Sequence, residues 1–486
     1  MEVGMKVKLA GLNIDYNLIK DIKGLLKSKK DSKKSLKENV LTPETLSAAY
    51  ARISRSPLSV DELRQKAIEK VDKARKSNKK IVYDMGHGSI AEHAVFNIDL
   101  INVSRLASEY IQHHRLVSFT EKSQRYIKLE KDYIIPDEIK DDKDLVIEFK
   151  ELIDQENQLY SYFYKKLMKY FSEKYPDMSK RKVQSKAKED SRYILSLATT
   201  SQMGMTVNAR NLEYMLRMFK ASKIFEIQQL GKKLYELINP IVPSLILFNE
   251  PSEYDCKEWK NNFDYNFEEP EQNKHESVNL LNYDPEGEDE IIAGLLYQDS
   301  NYSFNTIMNN IKKVDKKEVL NKVWKNVDFY NRMDRAFEMA NATFEFLLSS
   351  SAFAQLKRHR MSTQLKSDYD PALSVTIPSS IEEIGEEEKF LEMIDKIENF
   401  YQKIKKYDEN AANYVLTNSH RRRVVMKANL REWYHFARLR SDKHAQWEIR
   451  ALSYMVEDEL KKIYPETTKI MMGKDKFKEK EISKNI

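Results

Sequence analysis

The sequence predicts an α+β protein built from two similar domains in tandem. At 486 residues the chain is longer than one hydrophobic core normally supports. A polar stretch, HHRLVSFTEKSQRY from His113 to Tyr126, returns about half a chain later as KRHRMSTQLKSDYD from Lys357 to Asp370. An internal repeat of this kind indicates two copies of one structural unit.

The first copy combines short strands with long amphipathic helices. Apolar and polar residues alternate at 5–13 and again at 93–103, which predicts two half-buried strands. A third short strand is expected from Ser201, entering a helix at Asn208. The predicted helices cover residues 16–38, 41–54, 61–77, 143–174, 179–197, 208–219 and 223–238.

The second copy follows a change in composition. Residues 243–289 accumulate Asn, Pro, Asp and Glu without helical period, which predicts an acidic linker between a first domain, 1–242, and a second domain, 290–470. Within the second domain, ANLREWYHF matches VNARNLEYM, so that Asn429 corresponds to Asn208. The charged residues 471–486 predict a disordered tail.

Composition disfavours several classes of protein. Lys and Arg number 82 and Asp and Glu 76, so a net charge of +6 argues against a general nucleic-acid binder. No apolar run is long enough to span a membrane, and the N-terminus lacks a signal-peptide pattern, which together predict a cytoplasmic protein. Cys256 is the single cysteine and can form no internal disulfide. Neither GxGxxG nor GxxxxGK[ST] is present, which disfavours glycine-loop nucleotide folds.

The repeated stretch has the chemistry of a phosphate site. The first copy places two arginines, two histidines and several hydroxyls within fourteen residues. Arginine can hold phosphate oxygens through two parallel hydrogen bonds, and hydroxyls can satisfy the remaining lone pairs. An isolated stretch of this type is more often a solvated basic turn, and the second copy is what favours a functional interpretation. No HExxH or CxxC spacing predicts a metal site.

The stretch, read as [R/H]HRxxSxxxxSxRY, resembles the signature of the flavin-dependent thymidylate synthases. Further segments agree in order, namely AYARIS, HGSIAEHAVF, SRYILS and NAR, followed in the second half by NLREWYHFARLRSDKHAQWEIR. The resemblance covers residues of about 40–240 and 290–465. Two copies on one chain are the departure from the usual family member.

The resemblance implies a fold, a reaction and an assembly. Each copy is expected to be an α+β domain with long helices packed on a mostly antiparallel sheet. The family binds FAD and deoxyuridine monophosphate (dUMP) at sites shared between subunits of a homotetramer. It transfers the methylene of methylenetetrahydrofolate to C5 of the uracil ring and reduces it with hydride from the flavin, which NADPH reduces. A homodimer of this chain would therefore mimic the tetramer.

The resemblance also divides the nucleotide-binding residues between the copies. The first copy carries one set of matching residues: Glu121, Ser123, Gln124, Arg125 and Arg192. The positions of the second copy that align with Glu121, Ser123, Arg125 and Arg192 are Lys366, Asp368, Asp370 and Asn413, where two carboxylates would repel a phosphate. The second copy carries the other set: Gln355, Arg358 and Arg440, where the first copy has Tyr110, His113 and approximately Phe219. Arg125 and Arg440 are the expected catalytic residues, because Arg440 would stabilise charge that develops on the pyrimidine.

The flavin contacts implied by the resemblance fall in both copies. In the first copy they are Ser54, His87, Ser89, Glu92, His114, Arg115, Asn208 and Arg210. In the second copy they are His359, Arg360, Asn429, Arg431 and His435. Met333 and Arg335 align with His87 and Ser89, so the sequence leaves open which copy binds which part of FAD.

The preferred hypothesis is an active thymidylate synthase whose nucleotide site uses one set of residues from each copy. One alternative is a flavin or nucleotide binder that has lost catalysis. Another is a helical scaffold that binds RNA through its lysines, which the nearly balanced charge disfavours.

Overall fold

The computed structural model describes residues 4–27, 41–125, 127, 132–257, 267 and 276–477. The strands are β1 (Lys6–Leu12), β2 (Val95–Ser104), β3 (Ser118–Glu121), β4 (Thr200–Asn208), β5 (Val278–Tyr283), β6 (Asn341–Ser349), β7 (Thr363–Lys366) and β8 (Arg421–Asn429). The helices are α1 (Tyr16–Lys27), α2 (Glu44–Tyr50), α3 (Val60–Glu69), α4 (Val71–Lys79), α5 (Arg105–Ile111), α6 (Lys143–Lys174), α7 (Lys180–Ser191), α8 (Ala209–Lys220), α9 (Phe225–Ile238), α10 (Gly287–Tyr297), α11 (Phe304–Asn310), α12 (Lys316–Trp324), α13 (Ser350–Leu356), α14 (Ser379–Glu383), α15 (Glu387–Tyr407), α16 (Glu409–Ala412), α17 (Leu430–Arg440) and α18 (Trp447–Ile463).

The chain forms two compact units, and each unit contains segments of both sequence copies. Unit 1 consists of residues 1–158, 196–266 and 399–415, whereas unit 2 consists of residues 159–195, 267–398 and 416–486. Two of the five boundaries between the units fall inside helices, one inside α6 and one inside α15. The predicted boundaries at 242 and 290 follow the repeat along the chain, and the compact units do not coincide with them.

Unit 1 contains an antiparallel four-stranded sheet in the order β1-β2-β4-β3. On β2, Phe96, Ile98 and Leu100 are buried and alternate with exposed Asn97 and Asp99. This alternation is the pattern that predicted a half-buried strand, because successive side chains of a strand point to opposite faces. Burying each of the three apolar side chains stabilises the fold by about 1.5–3 kcal/mol.

Unit 2 repeats the same topology in the order β5-β6-β8-β7, again entirely antiparallel. The register also repeats, because Asn208 of β4 lies opposite Val95 and Asn429 of β8 lies opposite Asn341. Both asparagines then cap the helix that follows their strand. The predicted α+β fold with two copies of a mostly antiparallel sheet is confirmed.

A buried carboxylate in each unit holds a tyrosine that comes from the other sequence copy. In unit 1, Glu226 accepts hydrogen bonds from the amide and hydroxyl of Ser104, at 2.7 and 2.6 Å, and from the hydroxyl of Tyr414 at 2.7 Å. In unit 2, Glu448 accepts from the amide and hydroxyl of Ser349 and, at 2.7 Å, from the hydroxyl of Tyr193. Each Tyr–Glu bond therefore joins a segment of one sequence copy, 399–415 in unit 1 and 159–195 in unit 2, to residues of the other copy.

The acidic linker predicted at 243–289 requires correction at both ends. Ser244 and Leu245 are buried, β5 pairs with β6, and α10 begins at Gly287. The strand has weak alternation because it lies at a sheet edge and its second half is exposed, so composition alone suggested a linker. Residues 258–266 and 268–275 lie outside the described residues.

The predicted tail at 471–486 begins too early. Met471 and Phe477 are both buried and belong to the hydrophobic core of unit 2. The segment contains many lysines, so its composition did not indicate that Met471 and Phe477 are buried. Residues 478–486 lie outside the described residues.

Most predicted elements occur where the sequence placed them, including the helix at 143–174 and the strands at 5–13 and 93–103. The helix predicted at 61–77 is instead two helices, α3 and α4, because Lys70 between them has φ −133° and ψ 61°. The helix predicted at 16–38 is described only as far as Lys27. Among the described residues, no helix has the length and apolar character required to cross a membrane.

Candidate functional site

A cationic cavity of about 320 Å³ lies in unit 2 where the RHR segment meets α17. The RHR segment follows α13 directly, and α17 begins after Asn429, whose side chain accepts the amide of Glu432 at 2.9 Å. The cavity is lined by Asn331, Arg332, Met333, Arg358, Arg360, Met361, Arg431, Glu432, Tyr434, His435 and Arg438. Five of these residues are arginines and one is acidic, so the cavity favours an anion.

A chain of hydrogen bonds fixes the buried groups beside the cavity. Arg440 donates through Nη1 to Oε1 of Gln355 at 2.9 Å and through Nε to Nε2 of His359 at 3.0 Å. Because Nε2 of His359 accepts, its Nδ1 carries the proton and donates to Oε1 of Glu432 at 3.0 Å. The sequence-predicted residues Gln355, His359 and Arg440 are thus joined directly.

Burial controls the protonation of these groups. Burial, and then the charge of Arg440, holds the pKa of His359 well below its usual range, so that the ring stays neutral. Burial, and then Arg440, also lowers the pKa of His435. Burial raises the pKa of Glu432 to about 7, against the opposing effect of nearby arginines, of which Arg332 is the strongest. At neutral pH, Glu432 therefore titrates beside the cationic cavity.

The Ser-x-Arg segment of the first copy forms a turn in unit 1. The hydroxyl of Ser123 accepts the amide of Arg125 at 3.2 Å, and Gln124 between them is buried. Glu121, at the end of β3, accepts from Gln112 at 2.8 Å and from Ser201 at 3.3 Å. Three of the predicted nucleotide residues, Ser123, Gln124 and Arg125, thus lie together in this turn. Tyr126 lies outside the described residues.

Arg192 belongs to unit 2 and not to the unit that holds Ser123 and Arg125. It is buried in a short 3-10 turn, where its Nε donates to the carbonyl of Glu189 at 3.3 Å. Its own carbonyl accepts from Asn418 at 3.0 Å. Arg192 thus shares unit 2 with the predicted second set of residues, Gln355, Arg358 and Arg440.

The predicted flavin contacts of the first copy lie mainly on exposed turns of unit 1. His87 precedes the 3-10 turn Gly88–His93, which carries Ser89 and Glu92, and Ser54 lies in the separate turn Ile53–Arg55. The carboxylate of Glu92 pairs with Nη1 of Arg210 at 2.5 Å. The structure therefore joins two of the predicted residues directly.

His114 and Arg115 have opposite environments. His114 is buried edge-on against Tyr214 and Phe219, with each ring centroid 5.5 Å away, and burial lowers the pKa of this histidine to about 3. Arg115 is exposed. The side-chain oxygen of Asn208, a further predicted contact, accepts the amide of Asn211 at 2.9 Å and so caps α8.

A family model described as Thymidylate synthase complementing protein, Thy1, matches residues 35–244 and again 279–466. The chain belongs to the Thy1 family. The two matches confirm that two copies of the Thy1 domain lie in tandem.

Members of related families match different shares of the chain. A UPF0159 protein of Thermoplasma acidophilum is 25% identical over 432 residues, covering 80% of this chain and 86% of that protein. A flavin-dependent thymidylate synthase of Clostridium tetani is 31% identical over 224 residues, covering 45% of this chain and 87% of that protein. A further match is the crystal structure of the flavin-dependent thymidylate synthase ThyX of Helicobacter pylori complexed with FAD and dUMP. The match covers 43% of this chain and 96% of the Helicobacter pylori chain, with 17% identity and a TM-score of 0.28.

The two Thy1 copies differ at equivalent helix positions. Eleven residues after the capping asparagine, the first copy has Phe219 and the second has Arg440. In unit 1, His114 therefore packs against the ring of Phe219. In unit 2, the equivalent His359 accepts a hydrogen bond from the guanidinium of Arg440. Among the described residues, the Gln–Arg–His–Glu chain lies in the second Thy1 copy.

The second copy uses its altered Ser-x-Arg segment structurally. Asp370, which aligns with Arg125, accepts the amide of Ala372 at 2.9 Å and caps a 3-10 turn. Tyr369 beside it is buried, and the guanidinium of Arg422 lies 3.8 Å from the centre of its ring. This segment packs into unit 2 in a way that differs from the Ser123–Arg125 turn.

Three charged residues of the cavity, Arg332, Glu432 and Arg438, are not among those predicted from the sequence. Arg438 lies two helical turns after Arg431 on α17, so helical spacing could have revealed it. Arg332 lies on an irregular loop, and no sequence pattern indicates that this loop reaches the cavity.

His359, Glu432 and His435 place potential metal ligands within 4.8 Å of one another. Both ring nitrogens of His359 already have protein partners, Arg440 and Glu432. The arginines of the cavity would also repel a cation. The cluster therefore suits an anion better than a metal ion.

Proposed function

We propose that this chain is a flavin-dependent thymidylate synthase that methylates dUMP to dTMP. Methylenetetrahydrofolate is the proposed carbon donor, and FAD, once reduced by NADPH, supplies the hydride. The observation that supports this proposal best is the cationic cavity of unit 2, which collects Arg358, Arg360, Arg431 and His435 from separate parts of the sequence.

The proposed nucleotide site uses the two complementary sets of residues. Ser123, Arg125 and Arg192 would bind the phosphate, with Glu121 and Gln124 completing the set from the first copy. Gln355, Arg358 and Arg440 would contact the nucleotide from the second copy. Arg440 is already oriented by its bonds to Gln355 and His359, so little conformational entropy remains to be lost on binding.

The cationic cavity fits part of FAD. Five arginines suit the pyrophosphate of a dinucleotide, because guanidinium groups bind phosphate oxygens through paired hydrogen bonds. The volume of about 320 Å³ is at the small end of the range for ligand cavities, so it suits a portion of the cofactor. Arg360, Arg431 and His435 would hold that portion, with His359 and Asn429 behind them.

The complementary losses in the two copies support a shared function for the copies. The second copy has lost Ser-x-Arg, and the first has lost the equivalents of Gln355 and Arg440. We further propose that the chain acts as a homodimer in the cytoplasm. The alternative function is that of a homologue that binds flavin or nucleotide without catalysis.

Two measurements test the proposal. The visible absorption spectrum of the purified protein should show bound flavin. The protein should then release tritium from 5-labelled dUMP only when NADPH and methylenetetrahydrofolate are both present. Bound flavin without tritium release would identify a non-catalytic binder, and the absence of flavin would reject the proposal.

Variants from each set test the division of the site. Arg440→Ala and Arg192→Ala should each weaken dUMP binding at least about tenfold, because a hydrogen bond to a charged group contributes about 1.5–3 kcal/mol. Arg181→Ala removes an exposed arginine from α7 and is the matched control. If both variants retained the affinity of the control, the proposal of two complementary sets would be wrong.

A further inference from the structure

One side of the cationic cavity is an irregular segment, residues 328–333, which we call the cavity loop. Asn331, Arg332 and Met333 of this loop line the cavity, and Tyr330 beside them is 70% exposed. A tight turn closes the loop, in which the amide of Asp328 donates to the side chain of Asn331 at 2.8 Å and the amide of Asn331 donates to the carbonyl of Asp328 at 3.1 Å. The position of the loop relative to the cavity must therefore be set by other parts of unit 2.

Arg438 of α17 attaches the loop to the helix. Its Nη1 donates to the carbonyls of Asp328, Phe329 and Asn331 at 3.2, 2.9 and 2.6 Å. Burial lowers the pKa of this guanidinium, although arginine remains charged at neutral pH. A single buried cation thus holds three backbone carbonyls of the loop.

The C-terminal segment, residues 473–477, contacts this attachment from outside the loop. The ring of Phe477 lies 4.8 Å from the guanidinium carbon of Arg438, and Nζ of Lys474 lies 4.9 Å from the ring centre of Phe329. Two cation–π contacts therefore link the C-terminal segment to the loop and to the arginine that holds it.

The C-terminal segment is itself fixed on the junction between α17 and α18. The amide of Asp475 donates to the carboxylate of Asp442 at 3.1 Å, and the carboxylate of Asp475 accepts from the amide of Lys443 at 3.3 Å. Gly473 passes so close to this junction that a Cβ atom there would lie 2.6 Å from the carbonyl oxygen of Ser441. Phe477 is only 5% exposed. The segment is therefore held in place and can keep the ring of Phe477 beside Arg438.

We propose that the C-terminal segment is a positioning element that orders the cavity loop through Arg438 and Phe329. Loss of its contacts would loosen residues 328–331 of the loop and weaken anion binding in the cavity. The carbonyl of Met333 would still accept a hydrogen bond from Nε of Arg431 at 2.7 Å. The identity of the ligand as FAD rests on the proposed function, whereas the ordering of the loop does not.

Lys474→Ala and Lys476→Ala form a matched pair of variants within the segment. Lys474 contacts the loop through Phe329, whereas Lys476 lies over the ring of Tyr454 on α18 at 4.8 Å. Hydrogen exchange of the amides of residues 329–333 should accelerate about two- to fivefold in Lys474→Ala, because an exposed cation–π contact of this type contributes modestly. Exchange in Lys476→Ala should match that of the unsubstituted protein.

Phe477→Ala should have the larger effect, because it removes the ring beside Arg438 together with the burial of this core side chain. We expect a three- to thirtyfold acceleration of exchange in the loop and a comparable loss of affinity for FAD. Unchanged loop exchange in both Lys474→Ala and Phe477→Ala would overturn the proposal. Faster exchange with unchanged FAD affinity would also overturn it, since the loop would then have no influence on binding. Failure of the unsubstituted protein to bind FAD would instead reject the proposed function and leave the exchange result to decide the role of the segment.

Discussion

Replacing Tyr414 with phenylalanine tests the exchange of segments between the two sequence copies. The hydroxyl of Tyr414 donates to Oε2 of Glu226 at 2.7 Å, and both residues are buried. Phenylalanine keeps the ring and its packing, so the substitution removes only the hydroxyl with its hydrogen bonds to Glu226 and Ser104. It also leaves one carboxylate oxygen of Glu226 without its tyrosine donor.

The expected loss of stability follows from that geometry. A hydrogen bond to a charged group contributes about 1.5–3 kcal/mol, and an under-satisfied buried partner costs an amount of the same order. Glu226 retains its bonds to Ser104, which limits the loss to the bonds of the tyrosine hydroxyl. We therefore expect the free energy of unfolding to fall by about 1.5–3 kcal/mol, which lowers the melting temperature by about 3–12 °C in a unit of this size.

Urea unfolding followed by circular dichroism measures this loss. Tyr193→Phe should behave in the same way, because Tyr193 makes the equivalent 2.7 Å bond to Glu448 in unit 2. Tyr407→Phe, which changes a half-exposed tyrosine on α15, is the control and should stay within about 0.5 kcal/mol of the unsubstituted protein. If Tyr414→Phe were as stable as this control, the Tyr–Glu pair would not hold the exchanged segment.

Two further predictions concern the cavity and the packing of α10. As pH rises from about 6 to about 8, Glu432 loses its proton, because its pKa is about 7, and the new negative charge should weaken FAD binding by about tenfold. Glu432→Gln should abolish this pH dependence in a binding titration, and persistence of the dependence in the variant would assign it to another group. Gly287→Ala should destabilise the protein by about 1–3 kcal/mol in urea unfolding, because the added Cβ would lie 2.7 Å from Cβ of Ala340 and 3.0 Å from the ring of Tyr464. Gly204→Ala meets nothing within 4 Å and is the control, so equal stability of the two variants would refute the packing argument.

The sequence by itself determined the repeat and the residues that distinguish its copies. Periodicity reveals the strand at 93–103 and the helix at 143–174, because one face of each is buried and the other is solvated. The agreement of Asn208 with Asn429 predicts two equivalent helix starts, since asparagine at that position satisfies amides that the helix cannot. Local chemistry of this kind is written in neighbouring residues and can be predicted without a fold.

Only the tertiary structure decided which segments share a compact unit. Tyr193 and Glu448 lie 255 positions apart, and their pairing depends on burial and on hydrogen-bond geometry that no local pattern encodes. The edge strand β5 was not predicted for a related reason. Its strand conformation depends more on backbone pairing with β6 than on an alternating pattern of its own side chains. The cavity also could not be predicted from local patterns. Arg332 and Arg358 line one cavity only because the loop that carries Arg332 and the RHR segment both fold against α17. Long-range contacts set these features, so they appear only when the whole chain is folded.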